Sequence, residues 1–232
     1  MSTCKPVALK FPNNPQLDSL VKSHTKSGAT VLKTGLAYLK KVFKHDPVDD
    51  PEIVRKKNNG TADGRFDPTG AKKYRLYTSG KGKPHKGVDL KGDVGDDIYA
   101  IACGTVDVAR TKDPYKKGKS GGEYGKYVRI HHGSNIYSVY AHLSEISVKV
   151  GDKITFEDDD DEVKIGEMGK TGNVGGDAHL HFEIVLYNPK KHKKWGDREL
   201  YDPTLIFDLE LEEENKETPK KPVSSQTKTP SN

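Results

Sequence analysis

A chain of 232 residues has room for one well-packed domain of roughly 100 to 200 residues and for appendages. Only 32% of its residues are hydrophobic while 31% are charged, so part of the chain is too polar to join a core, and the two ends are the expected places. A net charge of +5 and a pI near 8.9 favour an anionic surface or polymer, but Lys and Arg are spread along the chain, which excludes a function built on one basic block.

In chain order, the opening MSTCKPVALKFPNNPQ has neither an apolar stretch of signal-peptide length nor a small-residue cleavage site. No later segment reaches the ~20 apolar residues of a membrane span. The expectation is a leaderless chain without a membrane span. Cys4 and Cys103 lack the spacing of a metal or redox motif; two unpaired thiols are expected, a Cys4 to Cys103 bridge being the alternative. From Ala29 to Lys44 the apolar residues Leu32, Leu36, Leu39 and Phe43 recur at helical spacing, with Lys33, Lys40, Lys41 and Lys44 mostly off that line. This predicts an amphipathic basic helix, with a start as early as Leu17, whose stripe packs on the main domain. Docking to a partner or an anionic membrane surface is the sharper alternative. Pro47 and Pro51 end the helix, and a linker is expected to about Gly60, making residues 1–60 an N-terminal extension.

Between Tyr74 and Phe207 the pattern changes to short runs rich in Val, Ile, Tyr and Thr, separated by Gly, Asp and Asn. Alternation in GTVDVAR and KYVRIH predicts strands buried on one face, and Gly133 to Asn135 a hairpin turn. The fold class expected is therefore mainly β, an antiparallel sheet domain over residues 61–209. The basic, glycine-rich DPYKKGKSGGEYG and the acidic stretch from Glu157 to Glu162 read as solvated loops; the acidic one lacks the spacing of an EF-hand. After Leu209 the Glu, Lys, Pro, Ser and Thr mixture of residues 210–232 predicts a disordered tail.

Two short motifs carry the chemistry. H-x-x-x-D supplies His85 and Asp89, and H-x-H supplies His179 and His181. In an extended chain His179 and His181 project from one face, and imidazole nitrogen and carboxylate oxygen are good zinc ligands. A catalytic zinc site takes three of them and keeps a fourth position open. Two His and one Asp fit that count, with one histidine left over; His142, ending the segment YSVYAHLS, is a second non-ligand candidate. Each motif alone is commoner as a chance or structural pair.

Their order and surroundings resemble the lysostaphin and LytM type zinc endopeptidases of peptidoglycan. The resemblance runs from about Gly64 to Phe207 through GRFDPTG, HKGVDL, DDIYAIACGTV, YGKYVRIHHG, YSVYAHLS, VKVGDKI, IGEMGKTGNVGG and HLHFEI. It implies a peptidase domain with a groove, one Zn2+ per chain held by His85, Asp89 and His181, and His142 with His179 as the catalytic pair. The chain departs from the family at Asp67, where R-x-H-P is frequent, at the GGDA before H-x-H, where Gly-Pro is frequent, and at the acidic run. These departures bear on groove shape and substrate fit. The other five histidines, His24, His45, His131, His132 and His192, are assigned to surface or structural positions, and Trp195 to a packing anchor with sugar stacking as its alternative.

The function expected is hydrolysis of wall peptide crosslinks, the D-alanyl to diaminopimelate bond in the first place, with peptidoglycan as partner and no nucleic acid. Combined with the absent leader, this suggests export to the periplasm or wall of a target bacterium as a type VI secretion effector. A secretion-apparatus component and a cognate immunity protein are then further partners. A phage lysis or tail-associated enzyme and a non-catalytic wall-binding activator are the alternatives; zinc content and activity on sacculi separate them.

Overall fold

A computed structural model describes residues 31–32, 35–55, 63–76, 79–117, 121–158 and 161–211. Its elements are β1 (Val31–Leu32), α1 (Leu36–Val42), β2 (Glu52–Ile53), β3 (Val88–Lys91), β4 (Asp97–Tyr99), β5 (Gly104–Arg110) and β6 (Tyr127–Gly133). They continue with β7 (Ile136–Ala141), β8 (Glu145–Ile146), β9 (Lys153–Ile154), β10 (Lys164–Glu167), β11 (His179–Leu186), β12 (Glu199–Tyr201) and β13 (Glu210–Leu211), with two short 3-10 turns flanking β12. The main sheet runs β13-β2-β3-β11-β7-β6-β5-β9, with β12 attached to β11 and β1 to β12. The β1–β12 and β13–β2 pairs are parallel; the other pairs are antiparallel. A second, smaller sheet has the order β4-β10-β8. The mainly antiparallel β fold expected from the alternation is what forms.

β11 is the axis of the molecule because both of its faces are buried. Leu180, Phe182 and Ile184 point into the hydrophobic core, where the Phe182 ring lies 5.4 Å from Tyr140 and 5.9 Å from Phe207. The alternate residues, His179, His181 and Glu183, then face the other way, as a period of two requires. The β6–β7 hairpin turns at Ser134 (φ 48) and Asn135 (φ 61). Two successive left-handed residues are what a two-residue hairpin loop needs.

The N-terminal stripe is buried as expected, but on two elements rather than one helix. Gly35 sits at φ 83 and opens α1, a conformation in which a right-handed helix cannot continue. Leu32 therefore lies on β1, paired beside Tyr201, while Leu39 and Phe43 fill the core from α1 and its end. A helix start near Leu17 lies outside the described residues. The expected linker contains β2, whose Ile53 is buried against Leu90. Packing into the common core thus begins well before residue 60. The expected tail opens with β13 alongside β2, and residues 212–232 lie outside the described set. The free-thiol expectation is overturned: Cys103 is disulfide-bonded and no described cysteine is free; Cys4 lies outside the described residues.

Candidate metal centre

Backbone pairing brings the two motifs together. Asp89 on β3 stands directly opposite His181 on β11. His85 precedes β3 and is fixed by reciprocal backbone bonds with Asp67 (2.8 and 3.0 Å). Between His85 and Asp89 the chain passes so close to β11 that a Cβ on Gly87 would lie 2.2 Å from the Phe182 carbonyl oxygen. Only glycine permits that approach.

The resulting cluster is tight and buried. His85 Nε2 lies 2.9 Å from Asp89 Oδ1 and 3.0 Å from His181 Nδ1, and His181 Nδ1 lies 2.9 Å from Asp89 Oδ1. All three residues are buried, and among the described residues they form the group able to hold a metal ion. Hydrogen bonds on the far side of each ring set the tautomers. His85 Nδ1 donates to the Arg65 carbonyl (2.9 Å), and His181 Nε2 donates to Glu183 Oε1 (3.1 Å). Three ligand atoms thus converge with room for one proton among them at most, the orientation that outer hydrogen bonds impose on metal-ligating histidine. Burial works against charge on His181, yet its bonds to Asp89 and Glu183 outweigh burial and raise its pKa to about 9. Burial likewise opposes the Asp89 carboxylate, but His85, His179 and Arg75 hold it well below the usual range. The pocket selects positive charge at this point, and two imidazoles with one carboxylate are a donor set that suits zinc.

His142 and His179 stand beside this cluster. Their rings are 5.1 Å apart, edge to face, and His142 lies 5.8 Å from the His181 ring. Each donates its Nδ1 proton to a backbone carbonyl, His142 to Thr171 (2.8 Å) and His179 to Asp177 (3.0 Å). Nε2 is therefore the basic nitrogen of the His142 ring, while His179 Nε2 lies 3.6 Å from Asp89 Oδ2. Burial, followed by the neighbouring His181 and His179, pushes the pKa of His142 down to about 3, so it is neutral near pH 7. His142 also has φ 69, a left-handed backbone that costs of order 1 kcal/mol for a side-chain-bearing residue. Its N–H bond to the Tyr124 carbonyl (2.9 Å) holds it there.

The structure thus brings all five expected site residues into one place. It also adds four that the sequence did not point to. Arg75 pairs with Asp89 Oδ2 and donates to the Asp63 carbonyl. Glu183, Arg198 and Tyr124 form a buried cluster behind His181, with Arg198 to Glu183 at 2.6 Å and Tyr124 Oη to Glu183 at 2.6 Å. Glu183 alone had a readable signal, since H-x-H-x-E puts three polar side chains on one face of β11. Of the remaining histidines, His45 stacks on Phe156 (4.0 Å), His131 on Tyr137 (4.6 Å) and His192 on Tyr187 (5.7 Å). His132 is a core residue bonded to Cys103 O and Ser138 Oγ, both at 2.8 Å. His24 lies outside the described residues. Trp195 packs among Arg129, Arg198, Tyr137 and Tyr187, which fits the anchor.

An antiparallel sheet presenting a buried His, Asp and His cluster, with two further imidazoles beside it, defines a candidate metal centre. Residues 83–194 match the model of Peptidase family M23. The chain is similar to an uncharacterized metalloprotease of Buchnera aphidicola subsp. Baizongia pistaciae, 32% identical over 53% of this chain and 32% of the relative. It is also similar to the peptidoglycan DD-endopeptidase ShyA of Vibrio cholerae, 32% identical over 64% of this chain and 28% of the relative. A crystal structure of a zinc-containing peptidase from Vibrio cholerae aligns over 62% of this chain and 36% of that one, at 32% identity and a TM-score of 0.46. The chain spans about a third of the length of these relatives.

Proposed function

We propose that this protein is a zinc-dependent endopeptidase that hydrolyses peptide crosslinks of peptidoglycan, with His85, Asp89 and His181 as ligands and His142 and His179 as the catalytic pair. The observation that carries this is the convergence of three ligand atoms within 3.0 Å beside two histidines whose rings are turned by Nδ1 bonds to backbone carbonyls. Zinc, when bound, supplies a Lewis acid that polarises a carbonyl and lowers the pKa of water to about 7. The protein's residues do the rest. Nε2 of the histidine pair accepts the proton that water loses as its oxygen bonds to the scissile carbonyl carbon. The same pair returns that proton to the leaving nitrogen as the C–N bond breaks. Thr171 and Asp177, through their carbonyls, keep both rings turned for this exchange.

The relative named as a DD-endopeptidase favours the D-alanyl to diaminopimelate crosslink over a glycine bridge as the bond cut. Digesting walls of both kinds with the protein, the protein plus chelator, His181→Ala and His142→Ala, with mass spectrometry of the fragments, tests this. Crosslinked dimers of the diaminopimelate wall should be split by the untreated protein alone; equal release by all four samples would overturn zinc catalysis. Use as an injected type VI effector makes a separate demand, a neutralising protein in the producer that closes the groove at His142 and His179. Its absence from pull-downs out of that cell would count against injection and leave the peptidase reading intact.

A further inference from the structure

Glu183 lies two residues beyond His181 on the same face of β11 and is almost completely buried. Five hydrogen bonds converge on its carboxylate. Arg198 Nε reaches Oε2 at 3.0 Å, and Arg198 NH2 reaches Oε2 at 2.6 Å and Oε1 at 2.9 Å. Tyr124 Oη donates to Oε1 at 2.6 Å, and His181 Nε2 lies 3.1 Å from the same oxygen. Arg198 NH2 also donates to Tyr124 Oη at 2.7 Å, closing the cluster, and the Tyr124 ring stacks 5.8 Å from that of His181. A carboxylate clamped from three sides has no rotamer to spare. Among the described residues, the remaining hydrogen bond it makes is to the imidazole of a proposed ligand.

We propose that Glu183, fixed by Arg198 and Tyr124, is the positioning residue of the metal centre. It holds His181 in the tautomer that presents Nδ1 to the metal and, by drawing on the Nε2 proton, strengthens that nitrogen as a donor. This rests on the zinc reading above. A carboxylate bonded to the back of a ligating histidine typically changes metal affinity about 10- to 100-fold. A buried ion pair that merely holds β11 to the segment before β12 would change stability and leave the affinity of the folded protein untouched.

The test is zinc binding by the metal-stripped protein in competition with a chromogenic chelator, with folding followed by circular dichroism in the same samples. Glu183→Gln keeps an acceptor and removes the charge; because it strands Arg198 in a buried site, it is paired with Glu183→Gln/Arg198→Met, which leaves no lone buried charge. The dissociation constant for zinc should rise at least about 10-fold in every folded variant. The visible spectrum of the cobalt-substituted protein should shift as well, since the His181 donor changes. Wild-type affinity and an unshifted cobalt spectrum in the folded double variant would overturn the proposal. Failure of the wild-type protein itself to bind zinc would overturn the metal reading on which it stands.

Discussion

His132 offers a measurement of how the core, away from the metal centre, responds to acid. Its ring is buried between the Cys103 carbonyl, which accepts from Nδ1, and Ser138 Oγ, which donates to Nε2. Burial is the main cause that pushes its pKa from 6.5 down to about 4. The unfolded chain therefore binds a proton near pH 6.5 that the native state refuses until about pH 4. Stability from this residue is intact above pH 6.5, falls as pH drops through that window, and falls no further below it. The 2.5 units between 6.5 and about 4 correspond to about 3 kcal/mol at 1.36 kcal/mol per unit. Urea unfolding of the wild type and of His132→Gln at pH values from 7.5 to 4.5 reads this directly. Contributions from groups far from His132 cancel in the difference. The advantage of wild type over variant should shrink by most of that amount between pH 7 and 4.5. A difference that stays constant with pH would refute the neutral, buried state assigned to His132.

Replacing His142 or His179 by Ala should lower turnover on crosslinked wall fragments about 10²- to 10⁴-fold while bound zinc, measured by atomic emission, stays near one per chain. Gly87→Ala should cost about 1–3 kcal/mol or more, seen as a fall in melting temperature together with loss of zinc, because the new Cβ must push β3 away from the Phe182 carbonyl. Leu39→Ala should destabilise by about 2–5 kcal/mol, since Leu39 is wholly buried, and leave zinc affinity unchanged in the folded protein.

How far the centre was legible follows from the distance over which each pattern acts. H-x-H declares its geometry within three residues, because extended chain repeats every second position. H-x-x-x-D does so less surely, and it took the Asp89 to His181 register to bring the two together. Arg198 joins Glu183 only because β12 folds back antiparallel on β11, setting Leu200 beside Val185. No local pattern records a pairing of that kind. Arg75 reaches Asp89 from an irregular segment with neither helical nor strand period. At the N-terminus the local signal pointed elsewhere: four apolar residues at helical spacing suggested one helix, while Gly35 and pairing with β12 placed the first of them on a strand. β1, β2 and β13 are two residues each, too short for alternation to show.

The same contrast explains why the centre tolerates departures nearby. Asp67, standing where the family often has His, contributes backbone bonds to His85, and any residue able to adopt that extended conformation can make them. His85 takes its tautomer from the Arg65 carbonyl, again a backbone group. His142 and His179 are likewise aimed by the carbonyls of Thr171 and Asp177. Among the described residues, side chains rather than carbonyls support two of the five proposed site residues, Glu183 at His181 and Arg75 at Asp89. Substitutions of the backbone-donating residues should therefore be tolerated when they preserve chain conformation, whereas His181 depends on a carboxylate that must itself be held by Arg198 and Tyr124. Exchanging Thr171 for Ser, which keeps the hydroxyl bonded to Lys126 N and the Leu143 carbonyl, and Asp177 for Asn, neither of which removes a carbonyl, should leave turnover on crosslinked wall fragments near wild type. A loss as large as that of His142→Ala would show that these side chains, and not the carbonyls, carry the orientation.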